Sequence, residues 1–475
     1  MKSPLVYAQN CIKSAPHRFA RTSRFSTFVS GISLAVLSFS VTAEEVSTSQ
    51  SESQMQVTHF NQTPKSPLPN PLSLDYVLEQ LPIQSPQLLR QEATVLQRQA
   101  TLLGQEAIDN WQFDFEGRLS RRDFADQAQD NHRAALHLGK QLYDFGATDG
   151  LIVAEQRAML AEQGLYESLE QAHKLAIMQS FFNVILADFQ FRIDNEAMAI
   201  EYIQFDKTKD RHEVGEASDV DLIAAESNYQ QVLVKRSKSE QRQLSSRVAM
   251  ANRLGLANAR PDELVMPSLK RFNLLDVKKL QLNDLYQQLA EKNPQLQHLN
   301  GLWQAQLTRV NALAQSNQPT LRADAWLGQL SSQPELREGN WRADLSVNVP
   351  LYDGGQQKSQ HLAAKAKLQQ LSADYETLTQ SLREEVADIY FQLKLLKAEK
   401  EMHQLYGDYA DLYLDFSRAL YENEKSTDLG NSFVRLSQAN YNLIEWRFKQ
   451  ALLWSKLDLL LGQPITLNVE QTASQ

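Results

Sequence analysis

Cysteine is nearly absent from the sequence, whose only example among 475 residues is Cys11. It precedes an apolar run over residues 25–41, which itself follows five basic residues and no acidic one. This order is typical of a secretory signal, so we expect residues 1–43 to be a signal peptide cleaved after Ala43. The run is too short and too rich in serine for a good membrane span. The remaining chain has no thiol, which excludes disulfide bonds, a thiolate nucleophile and a lipid-bearing cysteine.

Basic residues are in the minority. Five of the 48 lie in the predicted signal, which leaves 43 against 57 acidic residues and a net charge of −14. An acidic surface repels phosphate groups, so nucleic acid is not an expected partner. Residues 44–72 are rich in Ser, Gln, Thr and Pro, a composition that predicts a flexible leader with nothing to pack.

Motifs for catalysis or for cofactor binding are also missing. The nine histidines are scattered, and no two of them have the spacing of metal ligands on one helix. No glycine-rich phosphate loop or nucleophile elbow is present. We therefore expect a protein that is not an enzyme, with no cofactor and no metal site.

Proline is scarce in two long stretches, between Pro86 and Pro261 and between Pro350 and Pro464. Apolar residues such as Leu165 and Leu169 recur there at three- and four-residue spacing, which indicates packed helices. A helix of about 65 residues would be roughly 100 Å long, which is rare in globular domains. The predicted long helices cover about 147–213, 219–254, 356–421 and 433–461.

The same plan is written twice. "LYDFG" at 142–146 matches "LYDGG" at 351–355, and "SPQL" at 85–88 matches "NPQL" at 293–296, at offsets of 208 and 209 residues. Such constant offsets indicate one duplicated unit. The predicted organisation is a first repeat (73–262), a linker (263–282), a second repeat (283–465) and a tail (466–475). Each repeat has a helix, a β-hairpin (110–143 or 320–352) and a long helix pair whose tip lies near 214–221 or 421–433.

Residue types alternate in the predicted strands. In "WRADLSVNV", from 341 to 349, apolar side chains occupy one face and polar ones the other. A soluble sandwich also alternates, but it needs more than four strands. A membrane barrel needs strands of this length, with aromatic residues at the membrane surfaces. Candidate surface aromatics are Trp111, Phe113, Tyr143, Trp326, Trp341 and Tyr352. The predicted lumen-facing residues are Asp114, Glu116, Arg342, Asp344 and Asn348.

Four strands cannot close a barrel, and open edges are not tolerated in lipid. Two copies would give eight strands with a filled interior, whereas three would give twelve and a water-filled lumen. We therefore infer a trimeric conduit. The repeated phrase marks the corner where a strand ends and a helix begins, because glycine permits a sharp turn and proline is tolerated at a strand end. The corner residues are Tyr143, Asp144, Gly146, Pro350, Tyr352, Asp353, Gly354 and Gly355. Gln141 replaces the proline in the first copy, which predicts a looser corner there.

With these motifs and "VGEASDVDLIAAESNY" at 214–229, the chain resembles the TolC family of outer-membrane efflux and secretion channels over about residues 72–465. The resemblance implies a mainly α fold with a small β part. Each chain would give four strands to a twelve-stranded trimeric β-barrel and its helices to a periplasmic α-barrel. It also implies a homotrimer in the outer membrane of a Gram-negative bacterium, with a large periplasmic part. Its partners would be outer-membrane lipid, a periplasmic adaptor and an inner-membrane transporter.

The resemblance places a gate at the helix tips. The candidates are Asp219, Asp221, Tyr421, Lys425 and Asp428, and Val214, Gly215 and Ser218 are candidate adaptor contacts. The second tip departs from the family pattern, since Glu424 stands where glycine is expected. For the three aspartates, rings of carboxylates around the channel and simple helix capping are equally compatible with the sequence. Type I protein secretion and small-molecule efflux both remain open, and the alternative outside this class is a periplasmic coiled-coil scaffold or adaptor without a pore.

Overall fold

The structure is a computed structural model that describes residues 68–79, 85–124, 127–130, 132–256, 261–330, 339–423 and 428–467. These residues belong to one compact unit, His59–Gln475. The predicted signal peptide, nearly all of the leader, most of the tail and Lys425 lie outside the described residues.

The fold is mainly helical with a small antiparallel sheet, and its unit is duplicated, as the sequence predicts. The first repeat contains helices α1 (Leu74–Glu79), α2 (Pro86–Asp109), α3 (Ala147–Glu213) and α4 (Asp219–Arg253) and strands β1 (Gln112–Arg118), β2 (Arg121–Phe124), β3 (Gln127–Asp130) and β4 (Arg133–Tyr143). Helix α5 (Lys270–Asn273) follows. The second repeat contains α6 (Leu282–Lys292), α7 (Pro294–Gln315), β5 (Thr320–Gln329), β6 (Trp341–Asn348), α8 (Gln356–Glu422) and α9 (Leu429–Leu460).

Proline sets the start of one helix in each repeat. Pro86 and Pro294 stand in the first turn of α2 and α7, where a missing backbone N–H costs nothing. The preceding polar residue caps each helix: Ser85 Oγ accepts from the N–H of Gln87, and Asn293 Oδ1 accepts from two backbone N–H groups. Helices α2 and α7 therefore both begin at a proline.

Helix α3 is the central element of the helical body, since it packs against α2, α4, α7 and α9. With 67 residues it is about 100 Å long. Its contact with α7 joins the two repeats. The two helices are very close at two glycines. A β-carbon on Gly150 would lie only 2.8 Å from Cβ of Ala312, and one on Gly301 would lie only 2.8 Å from Cβ of Ala161. Glycine at these two positions therefore lets the backbones meet.

Beside these two close contacts lies a buried ionic cluster, made of Glu155 and Glu162 on α3 and residues from α2 and α7. Both glutamates are almost fully buried. Glu162 pairs with His298 (3.1 Å) and with Arg98 (3.6 Å), and it also accepts a hydrogen bond from Gln91 (2.9 Å). Arg309 of α7 pairs with Glu155. The hydrogen bond from His298 is the main reason that the pKa of Glu162 falls to about 2, against the opposing effect of burial.

The apolar core lies where the two long helix pairs meet. Phe182 of α3 stacks on Phe448 of α9 with ring centroids 4.1 Å apart, and Ile389 and Leu393 of α8 are buried beside them. The apolar run 175–191 belongs to this core, as its interruption by polar residues suggests. Within the part of the chain that the structure describes, none of the helices has a stretch long and apolar enough to cross a membrane.

The four main strands form one antiparallel sheet in the order β1-β4-β5-β6. The central pairing joins the two repeats, with Ala134 opposite Gln329 and Tyr143 opposite Leu321. Strands β1 and β6 are the two edges of the sheet, and each has one side on which another strand could pair. A chain of this kind presents an unfinished sheet.

Three details were not part of the sequence prediction. Strands β2 and β3 form an additional two-stranded hairpin that extends the first one. Leu72, placed in the leader, is fully buried and forms a parallel bridge with Leu264. The linker packs as well, because Arg271 of α5 donates to the carbonyl of Thr466 and to Asp458 of α9. Leader, linker and tail therefore contribute to the core through their residues nearest the repeats.

Candidate functional site

The sheet has two chemically different faces. Cross-strand partners point to the same side, so the register places Asp114, His137, Trp326 and Arg342 in one row. The polar face consists of Gln112, Asp114, Glu116, Arg133, His137, Arg322, Asp324, Trp326, Arg342, Asp344, Ser346 and Asn348. It includes all five predicted lumen-facing residues. The apolar residues of the other face are Phe113, Phe115, Leu136, Leu138, Leu321, Ala323, Leu327, Trp341, Leu345 and Val347. Lys140 lies on this face as well, opposite Ala323.

The apolar face is uncovered along its edge strands. Phe113 and Phe115 of β1 and Leu345 and Val347 of β6 are 64–69% exposed. A contiguous apolar surface of this kind marks contact with a protein partner or with lipid. Among the described residues, the edge strands β1 and β6 make no extensive contact with a helix.

Ion pairs line the polar face, one of them between two strands and two of them within a single strand. Arg133 pairs with Glu116 (3.0 Å), Arg322 with Asp324 (2.9 Å) and Arg342 with Asp344 (2.7 Å). The sequence alone did not identify Arg133, His137, Arg322 or Asp324 as members of this face. The sequence signal for these four residues was the weak alternation in 133–142 and 320–330, where they occupy the positions of the polar face.

Trp326 is a correction to the predicted surface aromatics. Its ring stacks on the imidazole of His137, with centroids 4.8 Å apart. The guanidinium groups of Arg133 and Arg342 lie 5.6 and 5.3 Å from its centre. Trp326 therefore lies on the polar face, because its position in the alternation, rather than its nearness to a strand end, decides its side.

The two strand-to-helix corners have the same local structure. At the second corner, Asp353 accepts hydrogen bonds from the N–H groups of Gly355 (2.9 Å) and Gln357 (2.7 Å). These backbone bonds lower the pKa of the Asp353 carboxyl, the bond from Gln357 most of all. Gly354 and Gly355 both adopt left-handed φ angles of 69° and 91°. The aspartate thus caps α8 where the chain changes direction.

The first corner repeats this pattern with one strained residue. Asp144 accepts from the N–H groups of Gly146 (3.1 Å) and Thr148 (2.7 Å). Phe145 has φ of 59°, a left-handed conformation that costs a non-glycine residue about 1 kcal/mol or more. The expected looseness of this corner is not observed, because the side chain of Gln141 donates to Asp144 and to Thr148. Gln141 thus stabilises the corner through hydrogen bonds where the second copy has Pro350.

Substituting Gly355 by alanine is expected to lower the free energy of unfolding by about 1–2 kcal/mol, because φ of 91° is unfavourable for an L-residue. The matched control is Gly407→Ala, in the middle of the same helix with open space around it. There alanine should stabilise by about 0.5–1 kcal/mol. Urea unfolding followed by circular dichroism measures both. Equal effects of the two substitutions would contradict a backbone origin.

The first tip, residues 214–221, is a compact turn between α3 and α4. Val214 ends α3, and Gly215 has φ of 79°. The N–H of Glu216 reaches back to the carbonyl of Arg211 (2.7 Å), which closes the helix end in the manner of a Schellman motif. Val214, Val220 and Ile223 are among the exposed apolar side chains of this tip. The tip therefore offers an apolar surface on a rigid turn.

The structure gives the two aspartates of the first tip different roles. Asp221 forms a capping box with Ser218, in which each side chain accepts from the other residue's backbone N–H. The hydrogen bonds from Ser218 lower the pKa of Asp221. Asp219 makes no such bond; its carboxylate lies 2.7 Å from Nε2 of His212 and is largely exposed. Capping thus accounts for Asp221, whereas Asp219 stays directed outward.

The second tip, residues 421–433, is described on both sides of residues 424–427. Tyr421 lies in the last turn of α8 and is 64% exposed. Asp428 precedes α9 without capping its backbone and accepts a hydrogen bond from Asn431. Lys425 lies outside the described residues, so contacts among the three second-tip candidates stay a prediction.

Comparisons with known proteins agree with this architecture. Residues 285–463 match the model of the family described as outer membrane efflux protein. Among curated proteins, none matches the sequence.

Three solved structures illustrate the likeness in fold. The Campylobacter jejuni CmeC outer membrane channel is 13% identical, with a TM-score of 0.67 over 84% of this chain and 88% of that one. The open state of the Neisseria gonorrhoeae MtrE outer membrane channel is 14% identical, with a TM-score of 0.65 over 83% and 89%. The outer membrane protein VceC from Vibrio cholerae is 15% identical, with a TM-score of 0.64 over 83% and 97%. The resemblance to the TolC family that the sequence indicates is thereby confirmed.

Proposed function

We propose, from a chain whose residues 285–463 match the outer membrane efflux proteins and whose fold is TolC-like, that three copies form the outer-membrane exit duct of a tripartite export system. The sheets would join into one barrel in the outer membrane. The long helices would continue it as a tube through the periplasm towards an adaptor and an inner-membrane transporter. The duct itself would perform no chemistry, and the energy for transport would come from the transporter.

The observation that carries this proposal is the unfinished four-stranded sheet with one charged and one exposed apolar face. Strands alternate in direction across the order β1-β4-β5-β6, so β1 of one copy is antiparallel to β6 of the next. Three copies thus close without a break in the alternation, and a closed barrel has no edges. Lipid would cover the apolar face, and water would fill the charged interior.

The absence of cysteine after Cys11 gives a direct test of closure. Cysteine is introduced at Gly117 of β1 and, in a series of double variants, at successive positions of β6. Oxidation in native membranes should give a covalent trimer for at least one pair in register. A cysteine at Ala134 in the middle of the sheet serves as the control. If every double variant stays monomeric, the barrel is not shared between chains. In a separate measurement, the purified trimer should conduct ions across planar bilayers.

The helix tips are the proposed gate. Opening would be a shift in population, in which the adaptor binds splayed tips more tightly than closed ones. Asp219 and Asp428 are the better candidates for carboxylate rings, because neither side chain caps its helix backbone. The exposed apolar residues beside Gly215 supply a surface for the adaptor.

Neutralising Asp219 or Asp428 with asparagine is expected to lower the preference for cations, because each substitution removes three negative charges from the narrowest part of the duct. Reversal potentials in a salt gradient measure the preference. Asp221→Asn is the comparison, since asparagine also caps a helix and the carboxylate is already held by Ser218. Unchanged selectivity in both Asp219→Asn and Asp428→Asn would remove the rings from the proposal.

A periplasmic scaffold without a pore is the second candidate, favoured only by the length of the coiled helices. The two hairpins count against it, because a scaffold has no use for an exposed apolar sheet face. Neither the polar face nor the helices identify the cargo. Type I secretion of proteins and efflux of small molecules therefore both stay open, and transport assays with candidate transporters would separate them.

A further inference from the structure

The polar face carries a histidine with an unusual pair of neighbours. Nδ1 of His137 lies 2.9 Å from a carboxylate oxygen of Asp114 on β1, and Nε2 lies 3.0 Å from one of Asp324 on β5. The imidazole thus bridges three strands with a carboxylate at each ring nitrogen. A neutral imidazole donates from only one nitrogen. The two contacts therefore fit an imidazolium that donates from both nitrogens, or a neutral ring that donates to one carboxylate and shares a bound cation with the other.

The two carboxylates are not equivalent. Asp324 is largely buried and is held by Arg322, whose Nε lies 2.9 Å away. It is therefore suited to accept the N–H of His137 and to fix the ring. Asp114 is half exposed and has no arginine partner among the described residues. Since Glu116, Asp324 and Asp344 on the same face each pair with an arginine, Asp114 is the carboxylate without one among the described residues of the polar face.

A third donor lies on the same side. Glu116 follows Asp114 by two residues on β1, and one ligand atom from each of Asp114, Glu116 and His137 lies within 4.8 Å of the others. Ligands at about 2.0 Å from a tetrahedral zinc ion are roughly 3.3 Å apart, so small rotations of two exposed carboxylates suffice. Arg133 occupies one oxygen of Glu116 and leaves the second for a metal ion.

Gly139 makes room for this arrangement. A β-carbon at that position would lie 2.6 Å from Nη2 of Arg322, 2.8 Å from Asp324 and 3.2 Å from the His137 ring. Any larger residue would displace the groups that orient the imidazole. The second neighbour of the ring, Trp326, limits its rotation by stacking.

We propose that Asp114, Glu116 and His137 bind one divalent transition-metal ion per chain, of the zinc, cobalt, nickel or copper class, with Asp324 as the positioning carboxylate. Imidazole with carboxylates favours these ions over magnesium or calcium. A ligating histidine usually donates its other N–H to a carboxylate, which is the role of Asp324. Sequence spacing gave no sign of this site, because its ligands come from two strands and its orienting group from a third. Binding itself does not depend on the proposed duct, although the placement of the site in a lumen does.

The test uses the full chain, purified without an oligohistidine tag, stripped with EDTA and titrated with Co²⁺ by visible absorption and with Zn²⁺ by calorimetry. We expect one saturable equivalent per chain. His137→Gln should weaken binding at least 100-fold. Asp324→Asn should weaken it by about 10–100-fold while one equivalent is kept, as expected for an orienting group. His403→Gln, on α8, is the matched control and should bind as the parent does.

Two results would overturn the proposal: no saturable binding by the parent chain, or equal binding by His137→Gln. Circular dichroism and size-exclusion chromatography of each variant exclude loss of fold as the cause of weaker binding. Bilayer conductance of the same samples separates the two proposals. Conductance without metal binding contradicts the site alone, and metal binding without conductance contradicts the duct alone.

Discussion

Replacing Glu162 by glutamine is expected to lower the free energy of unfolding by about 2–4 kcal/mol, although the side chain keeps its shape. The substitution removes the negative charge that His298 and Arg98 share inside the contact of α2, α3 and α7. His298 is largely buried and cannot turn to water without separating the helices, whereas Arg98 is partly exposed. Because α3 and α7 belong to different repeats, the loss falls on the interface that joins the two halves of the chain.

Chemical unfolding of the purified protein measures this effect. The control is Glu167→Gln on the exposed side of the same helix, which is expected to change stability by at most about 0.5 kcal/mol.

The pH dependence of stability is a second check on the role of Glu162. The carboxyl of Glu162 has a pKa of about 2 in the folded chain, against 4.5 unfolded, so its contribution is complete above pH 4.5 and is lost as pH falls towards 2. Between pH 5 and pH 3 the parent should lose about 2 kcal/mol more than Glu162→Gln. Parallel pH curves would contradict the pairing.

Leu345→Arg is expected to prevent stable insertion of the proposed barrel, because in that barrel the arginine would face the middle of the bilayer at a cost of about 2–4 kcal/mol per chain. Leu345 is 67% exposed on the apolar face of β6. The neighbouring Ser346→Arg introduces the same charge at the same depth on the polar face, where water would solvate it. Fractionation of membranes and the yield of trimer report the outcome. If the two variants insert equally well, the apolar face does not lie in lipid.

The helical architecture could be predicted because its causes are local. The scarcity of proline permits helices as long as α3 and α8. Helices α2 and α7 begin at Pro86 and Pro294. The repeated "LYDFG" and "LYDGG" locate both corners, since the aspartate and the left-handed residue after it act within four residues. For Asp221 the sequence left helix capping and a carboxylate ring equally open, although both residues of the capping box lie in one short stretch.

The candidate site was less accessible, because its contacts join distant parts of the chain. His137 meets Asp324 only after β4 has paired with β5, and no spacing within one strand reports that. The cluster of Glu155 and Glu162 likewise depends on the register of α3 against α7. Trp326 was misassigned because being near a strand end and pointing to one side are separate properties, and alternation alone determines the second. The hairpin of β2 and β3 was not predicted, because its four-residue strands are too short to show alternation.

The pairing of β4 with β5 has a consequence for the order in which the protein matures. In the proposed duct the chain is exported, and its first hairpin is complete as soon as Tyr143 has crossed the inner membrane, whereas the strand that covers its open side begins only at Thr320. The residues between them, including the whole α3–α4 pair, would have to cross first. During that interval the apolar face of the hairpin would be exposed to water, and non-local pairing of this kind is slow. Maturation of the proposed duct should therefore depend on periplasmic chaperones, and their depletion should leave fragments that end before β5.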